Sequence, residues 1–509
     1  MTAARRGRGA RAGAGSGRFA GPAVALILTA SLILAACAEL RPNLLEVYPQ
    51  ARYLPRHPVI ILPGAFGSRL KDDRTGEVVW GRFTNLLTSR FKLILNPLRA
   101  TGTDLLDLPI DSTDITANRD HLVAYSLFDE VAGRQFYRRI VQTLTQVAGY
   151  RFGDIEDPHR GEDCFAFHYD WRRDIVENAR LLERAIERIR RVQPDPRTRV
   201  DLIAHSLGGL ISRYYVKYGG SDVLDGEPKG AAPGADHIGT VVMIGVPNEG
   251  SLDSLRSLDE GVRLVRRLPS EALFTMPSAY QTLPHHVASP FIDAQGSPLE
   301  IDLYDAGIWE RYGWSAFQPK RLAVLRREFE RQFDRAEAKD RYEARLALMR
   351  AYLAAALDRA GRLQRALDAP VGAEAAVSYF AFGGDCTPTP ARSMILEEDG
   401  AFRTITHLDD VPDKLRTPEV ERLMSEPGDG SVTRASLLGR HHQSGDGRSG
   451  LPVDYTLFLC ETHRNLTENV TFQDNLLQFL LYQRDGRPGE RVSPRETSSP
   501  DGEDTPGAC

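Results

Sequence analysis

The sequence predicts an α/β fold built on a mostly parallel sheet with helices on both faces, and three observations carry that expectation. The apolar run Pro58-Val59-Ile60-Ile61-Leu62 stops at Pro63-Gly64, as a buried strand does. Similar runs occur at 163–168, 199–204, 239–246, 376–383 and 453–459, with helical patterns between several of them, for instance at 174–192 and 207–217. Alternation of strand and helix is the pattern of a parallel sheet. Finally, the 199–204 run leads straight into Ala204-His205-Ser206-Leu207-Gly208 and a helix-like segment. That is a strand, a tight turn holding a serine, and a helix.

Taken from the N-terminus, the chain opens on Arg5, Arg6, Arg8, Arg11 and Arg18, followed by an apolar stretch from Gly21 to Ala36. That stretch is too short and too alanine-rich for a membrane-spanning helix. It ends in Leu34-Ala35-Ala36-Cys37, which resembles a bacterial lipoprotein signal. The resemblance implies a targeting segment over 1–37, export, lipidation of Cys37 and attachment to a membrane. Ala38, in place of an acid, favours the outer membrane, facing the periplasm or the cell surface. An uncleaved anchor and an ordinary secretory signal are the alternatives.

Residues 38–251 read as the first part of a sheet core. Residues 252–370 read as a largely helical cap inserted on that sheet. Within it, Leu322, Leu325, Phe329, Phe333, Tyr342, Leu346, Met349, Leu353 and Leu357 fall at helical spacing over 320–368, with Arg and Glu between them. This is one long amphipathic helix or a helical hairpin, serving either as a lid or as a helix packed on its own domain. Residues 371–483 read as the second part of the core. The 484–509 tail is rich in Gly, Pro, Ser and acids and is expected to be disordered.

A serine on a strained elbow becomes a nucleophile only with a base, and the base needs an acid to orient it. On this architecture the order along the chain is Ser, acid, His. Asp429, in Gly428-Asp429-Gly430-Ser431-Val432, lies beyond the 376–383 strand, where flanking glycines free the backbone to aim a carboxylate. His463 follows the last strand. His441 and His442 are rivals, but their glycine-rich polar surroundings suit a solvated pair. An oxyanion would need backbone amides from two places. Leu207 follows the nucleophile, and the loop Gly64-Ala65-Phe66-Gly67-Ser68 follows the first strand.

These residues sit within a longer resemblance. Pro58–Gly64 with Gly67-Ser68-Arg69-Leu70 and Trp80, then Tyr169-Asp170-Trp171-Arg172, the elbow, Val246-Pro247-Asn248-Glu249-Gly250-Ser251, Pro277–Pro284, the Asp429 loop and His463-Arg464-Asn465-Leu466 run in order along the chain. The chain resembles the lecithin:cholesterol acyltransferase family of α/β-hydrolases. The resemblance implies an α/β-hydrolase fold and transfer of an acyl chain from a membrane glycerophospholipid to serine, then to water or an alcohol. It implies Ser206 as nucleophile, Asp429 as acid, His463 as base, and Phe66 and Leu207 as oxyanion amides. Asp170 and Arg172 read as a buried scaffold pair. Ala204 and Val246 depart conservatively from the family pattern.

The net charge of −5, with five arginines and no acid in residues 1–37, leaves the remainder more acidic still and argues against a nucleic-acid partner. Of the five cysteines, Cys386 and Cys460 would join the segments that flank the acid and the base, if they are not free thiols. No spacing suggests a metal site, and the chemistry requires no cofactor. A lipase or carboxylesterase acting on other esters, or a non-catalytic surface lipoprotein, are the competing functions. The sequence leaves the acyl acceptor and the oligomeric state open.

Overall fold

The structure, a computed structural model, describes residues 42–81, 106–116, 120–128, 130–131, 134–135, 137–226, 232–263, 267–285, 290–370, 377–439 and 451–482. Cys37 with the 1–37 segment, His441, His442 and the 484–509 tail lie outside these. The chain divides into two units, Met1–Val47 and Tyr48–Cys509. In the first, a one-turn helix, Leu44–Val47, starts at Asn43, whose side chain accepts from the Leu45 amide.

The second unit is organised by a seven-stranded sheet. Its strands are β1 (Val59–Leu62), β2 (Phe152–Gly153), β3 (Cys164–Ala166), β4 (Val200–His205), β5 (Ile238–Ile244), β6 (Ser378–Gly384) and β7 (Tyr455–Leu459). The order across the sheet is β7-β6-β5-β4-β1-β3-β2, and every pairing is parallel. β1 is buried along its whole length, as are all six residues of β4. Strands covered on both faces explain why β1 is continuously apolar and β4 does not alternate, with Asp201 and the terminal His205 as its polar residues. This is the predicted α/β-hydrolase architecture. Only β2 had no counterpart among the expected strands; two residues carry too little pattern to be read.

Helix α1 (Ile175–Val192) buries Ile175, Val176, Ala179, Leu182, Ala185, Ile186 and Ile189. Asp174 caps it, accepting from the Val176 and Glu177 amides. Helix α2 (Leu207–Tyr218) follows β4 and is buried on all sides. Helix α3 (Leu252–Glu260) opens the cap segment and is capped by Ser251.

The 320–368 region is a hairpin of α4 (Pro319–Gln332) and α5 (Arg335–Asp368). The break falls where Asp334 caps α5 through the Ala336 and Glu337 amides. α5 packs on its own domain, burying Tyr342, Leu346, Met349, Leu353 and Leu357. It is pinned at its far end by α2: Lys217 Nζ donates to the Leu367 and Ala369 carbonyls at 2.6 and 2.8 Å, and Arg213 and Tyr218 donate to Leu367 and Ala366. These are the carbonyls a helix end leaves without internal partners. Arg359 of α5 reaches the buried Asp174 cap of α1 at 2.7 Å. The elbow helix and the cap are therefore locked together. α4 has no fully buried residue, although Leu322, Leu325 and Phe329 lean on the core.

A second sheet was not foreseen. Its strand order is 298–299, 291–292, 393–398, 401–405, so it pairs cap residues with residues after β6. Among the described residues no helix is long and apolar enough to cross a membrane.

Candidate active site

β4 ends at His205, and the chain reverses at Ser206 with φ 53° and ψ −122°. A side-chain-bearing residue held there stores on the order of 1–3 kcal/mol of backbone strain. The surroundings impose it. The Ser206 amide donates to the Ile244 carbonyl at 2.8 Å. A Cβ on Gly208 would lie 2.7 Å from the Pro63 carbonyl oxygen, and one on Gly209 would lie 2.1 Å from a Val246 methyl. Those two glycines let β1 and the loop after β5 close on either side of the serine, which is the reason for the small residues in the elbow pattern. Leu207 is the first residue of α2, so its amide belongs to the set a helix N-terminus leaves without internal partners.

Phe66 also has a positive φ, 66°. Its loop is held on several sides. The Gly67 amide closes a turn onto the Gly64 carbonyl at 3.0 Å, and Trp80 Nε1 donates to the Phe66 carbonyl at 3.1 Å. The Tyr169-Asp170-Trp171-Arg172 motif clamps the same loop. Tyr169 Oη donates to the Pro63 carbonyl at 2.6 Å and Trp171 Nε1 to the Ser68 carbonyl at 3.1 Å. Arg172, fully buried, pairs with Asp170 at 2.7 Å and with Asp120. The pair is scaffold: it holds the residues that hold the loop.

Asp429 is buried, and both its oxygens are used. Oδ1 accepts from the Ser431 and Val432 amides at 3.0 and 2.7 Å, and Oδ2 meets His463 Nδ1 at 2.8 Å. The Asp429 carbonyl also accepts the His463 amide at 2.8 Å. Acid and base are thus joined through backbone and side chain. Burial opposes charge on the His463 ring. The Asp429 carboxylate, through its charge and its hydrogen bond, outweighs burial and holds the ring above the ordinary imidazole value. Asp253 acts in the same direction and Arg464 opposes it.

Two glycines that the motifs did not single out make room for the pair. A Cβ on Gly245, at φ +54°, would lie 2.9 Å from His463 Nδ1 and 3.0 Å from Asp429 Oδ2. One on Gly384 would lie 2.3 Å from the Glu461 carbonyl oxygen and 2.8 Å from Asp429 Cβ. They stand just after β5 and at the end of β6, so the sheet's own edge forms the floor under the acid and base. Cys386 and Cys460 form a disulfide with Cα atoms 5.0 Å apart, tying the segment after β6 to the end of β7 just ahead of His463.

Ser206, His463, Asp429, Phe66 and Leu207 all line one cavity of about 620 Å³. Its apolar lining includes Phe66, Trp80, Phe128, Trp171, Leu273 and Met276. The Phe66 ring lies 4.6 Å from Trp171 and 5.9 Å from Trp80. Its polar lining includes Ser251, Asp253 and Ser254 around the start of α3 and Ser431 from the acid loop. Ser278, of the cap's Pro-Ser motif, ties this region to Trp171 by donating to its carbonyl at 2.6 Å. An apolar cavity with a few convergent polar groups is the form of a small-molecule site.

Sheet and cavity together define an α/β-hydrolase fold with a strained elbow serine. Residues 111–281 match the lecithin:cholesterol acyltransferase family, and the resemblance carried by the motifs holds there. The match takes in Tyr169–Arg172, the elbow and Pro277–Gln281; the Pro58–Leu70 segment, Asp429 and His463 lie outside it. That match supports a lipid acyl hydrolase or acyltransferase. Among solved structures, the chain is similar to one described as the crystal structure of the Tle4–Tli4 complex, with 14% identity, a TM-score of 0.46, and coverage of 83% of this chain and 97% of that one. No curated protein matched by sequence.

Proposed function

We propose that this protein is a serine-dependent acyl hydrolase or O-acyltransferase that acts on ester bonds of lipids, glycerophospholipids in the first place, through an acyl-enzyme on Ser206. The observation that carries the proposal is the His463–Asp429 pair at 2.8 Å facing the same cavity as a serine held at positive φ. In this reaction Ser206 Oγ attacks the ester carbonyl while His463 Nε2 takes its proton. Asp429, bound to Nδ1, fixes the tautomer that leaves Nε2 bare and stabilises the imidazolium. The Phe66 and Leu207 amides receive the oxyanion. His463 returns the proton to the leaving alcohol; water or an acceptor hydroxyl then repeats the sequence in reverse and frees the acyl group. Contact between the serine and the histidine tightens when substrate fills such a site. The aromatic lining suits an acyl chain, and the polar lining suits the rest of the lipid or the acceptor.

A fluorophosphonate should label wild-type protein stoichiometrically and spare Ser206→Ala. Labelling that persists in the variant would remove the proposal. Products formed from mixed phospholipids with a long-chain alcohol, read by mass spectrometry, distinguish a phospholipase (free fatty acid alone) from a transferase (an ester of the alcohol).

The proposal includes a location. Lipidation at Cys37 would hold the enzyme at a bacterial membrane, the outer one being favoured, beside its substrate. Radiolabelled palmitate should enter the wild type and not Cys37→Ala; equal incorporation would refute the anchor.

A further inference from the structure

Two cavity-lining residues that the reaction above does not use join the three segments on which it depends. His205 immediately precedes the nucleophile and is buried. Its Nε2 lies 3.2 Å from the His463 main-chain carbonyl oxygen, and its Nδ1 lies 2.9 Å from Tyr137 Oη. Tyr137, also buried, receives the Gly64 amide on the same oxygen at 2.8 Å.

The chemistry of the groups fixes every direction in this chain. A carbonyl oxygen only accepts, so His205 Nε2 carries the proton. A neutral imidazole has one N–H, so Nδ1 is bare and must accept. Tyr137 therefore donates its hydroxyl proton to Nδ1, and its oxygen is left to accept from Gly64, which can only donate. Burial, reinforced by the neighbouring His463 ring, pushes His205 down to about 3, which keeps it in this neutral form.

The connection runs from the start of the Phe66 loop, through the residue before Ser206, to the backbone of His463. The packing is equally close. The rings of His205 and His463 lie 4.8 Å apart, and those of Tyr137 and His205 lie 5.9 Å apart, edge to face. A Cβ on Gly64 would lie 3.0 Å from His205 Nδ1 and 2.8 Å from Ser206 Cβ, so the seat exists only with glycine there.

We infer that Tyr137 and His205 are positioning residues: the chain from the Gly64 amide through Tyr137 Oη and the His205 ring to the His463 carbonyl sets the oxyanion loop, the nucleophile and the base in register with one another. Both line the cavity, but neither carries a step of the reaction, and each acts through its neighbour. The inference rests on the proposed function, since it takes His463 as base and Ser206 as nucleophile.

Three variants test it. Tyr137→Phe removes the donor to Nδ1 and the acceptor for Gly64. His205→Asn keeps an acceptor near the Nδ1 position but loses the donor to His463. His205→Gln offers an N–H in place of Nε2. Small displacements of reacting groups are expensive in rate, so kcat in Tyr137→Phe should fall between about ten- and a hundredfold with KM little changed. In His205→Asn the loosened His463 is held less firmly against Asp429, so the acid limb of kcat/KM should move to lower pH, and His205→Gln should move it back. Because one chain is being cut, Tyr137→Phe/His205→Asn should fall no further than the worse single variant, whereas independent sites multiply.

Multiplying effects, or an acid limb unmoved in folded His205→Asn, would overturn the inference. If His205→Asn does not fold, an unchanged kcat in Tyr137→Phe overturns it alone. Fluorophosphonate labelling of the wild type is run first. Failure there refutes the proposed function, whereas normal labelling with an unaffected Tyr137→Phe refutes only the positioning role.

Discussion

Gly245→Ala perturbs the acid–base pair without touching a catalytic side chain. The new Cβ would lie 2.9 Å from His463 Nδ1 and 3.0 Å from Asp429 Oδ2. Carbon needs about 3.5 Å to either atom, so the pair must move by roughly half an ångström or the backbone must shift by as much. The residue also sits at φ +54°, where any side chain is strained by about 1–3 kcal/mol. A displacement of 1 Å in reacting groups costs about a hundredfold in rate, so half of that should cost about tenfold. Gly76→Ala separates the two effects. Gly76 has φ +69° and open space where its Cβ would be. Both variants should lose about 1–3 kcal/mol in chemical denaturation. Only Gly245→Ala should also lose about tenfold or more in kcat/KM, measured on a phospholipid or a nitrophenyl ester. A Gly245→Ala protein as active as Gly76→Ala would refute the claim that the end of β5 forms the floor of the acid–base pair.

Other perturbations follow from the same geometry. Asp429→Asn should lower kcat on the order of 10⁴-fold. It should also move the acid limb of kcat/KM to lower pH, because the carboxylate that raises His463 is gone. A His raised in the folded state stabilises the fold most below its unfolded value, about 6.5, and that contribution fades as pH rises through the raised value. The stability gap between wild type and Asp429→Asn should therefore narrow toward alkaline pH; a gap that widens would contradict the pairing. His205 has the opposite sign. Its value is depressed to about 3, so it withdraws stability as pH falls from about 6.5 toward 3, and a folded His205→Asn protein should show a flatter acid denaturation curve over that window. Cys386→Ala/Cys460→Ala, which opens a disulfide spanning a separation of 74 residues, should cost about 2–4 kcal/mol and lower kcat, because the bond ends three residues ahead of His463. Unchanged unfolding and kcat would show that the disulfide holds nothing the site needs.

The centre of the sheet was legible because its strands are buried on both faces. Val59–Leu62 is continuously apolar, Val200–His205 is broken only by Asp201 before its final His205, and the elbow gave the latter a fixed sequel. Asp429 and His463 were legible because the order of roles along this architecture is fixed and glycines flank the acid. Gly245 and Gly384 were not, since what they avoid is a side chain distant in sequence, and nothing local to either glycine signals it. Tyr137 lies in a stretch without a family motif, and its role depends on a partner 68 residues away. His205 stood inside the elbow pattern, but one residue from a reactive serine its own hydrogen bonds left no trace in sequence. In the second sheet, 291–292 and 298–299 escaped for the same reason as β2, since two residues have no period, whereas the longer 393–398 and 401–405 hairpin went unrecognised. The 320–368 pattern permitted one helix or two, and the Asp334 cap, decisive for two, becomes visible only once the turn before it is seen.

The central claim is that a lipid acyl group passes through Ser206. Brief exposure of the wild type to a phospholipid, acid quenching and peptide mass spectrometry test it directly. The account predicts one added fatty-acyl mass on the peptide holding Ser206, stronger in an Asp429→Asn protein whose deacylation is slowed, and absent from Ser206→Ala. An acyl mass on another residue, or phospholipid turnover that survives in Ser206→Ala, would contradict it.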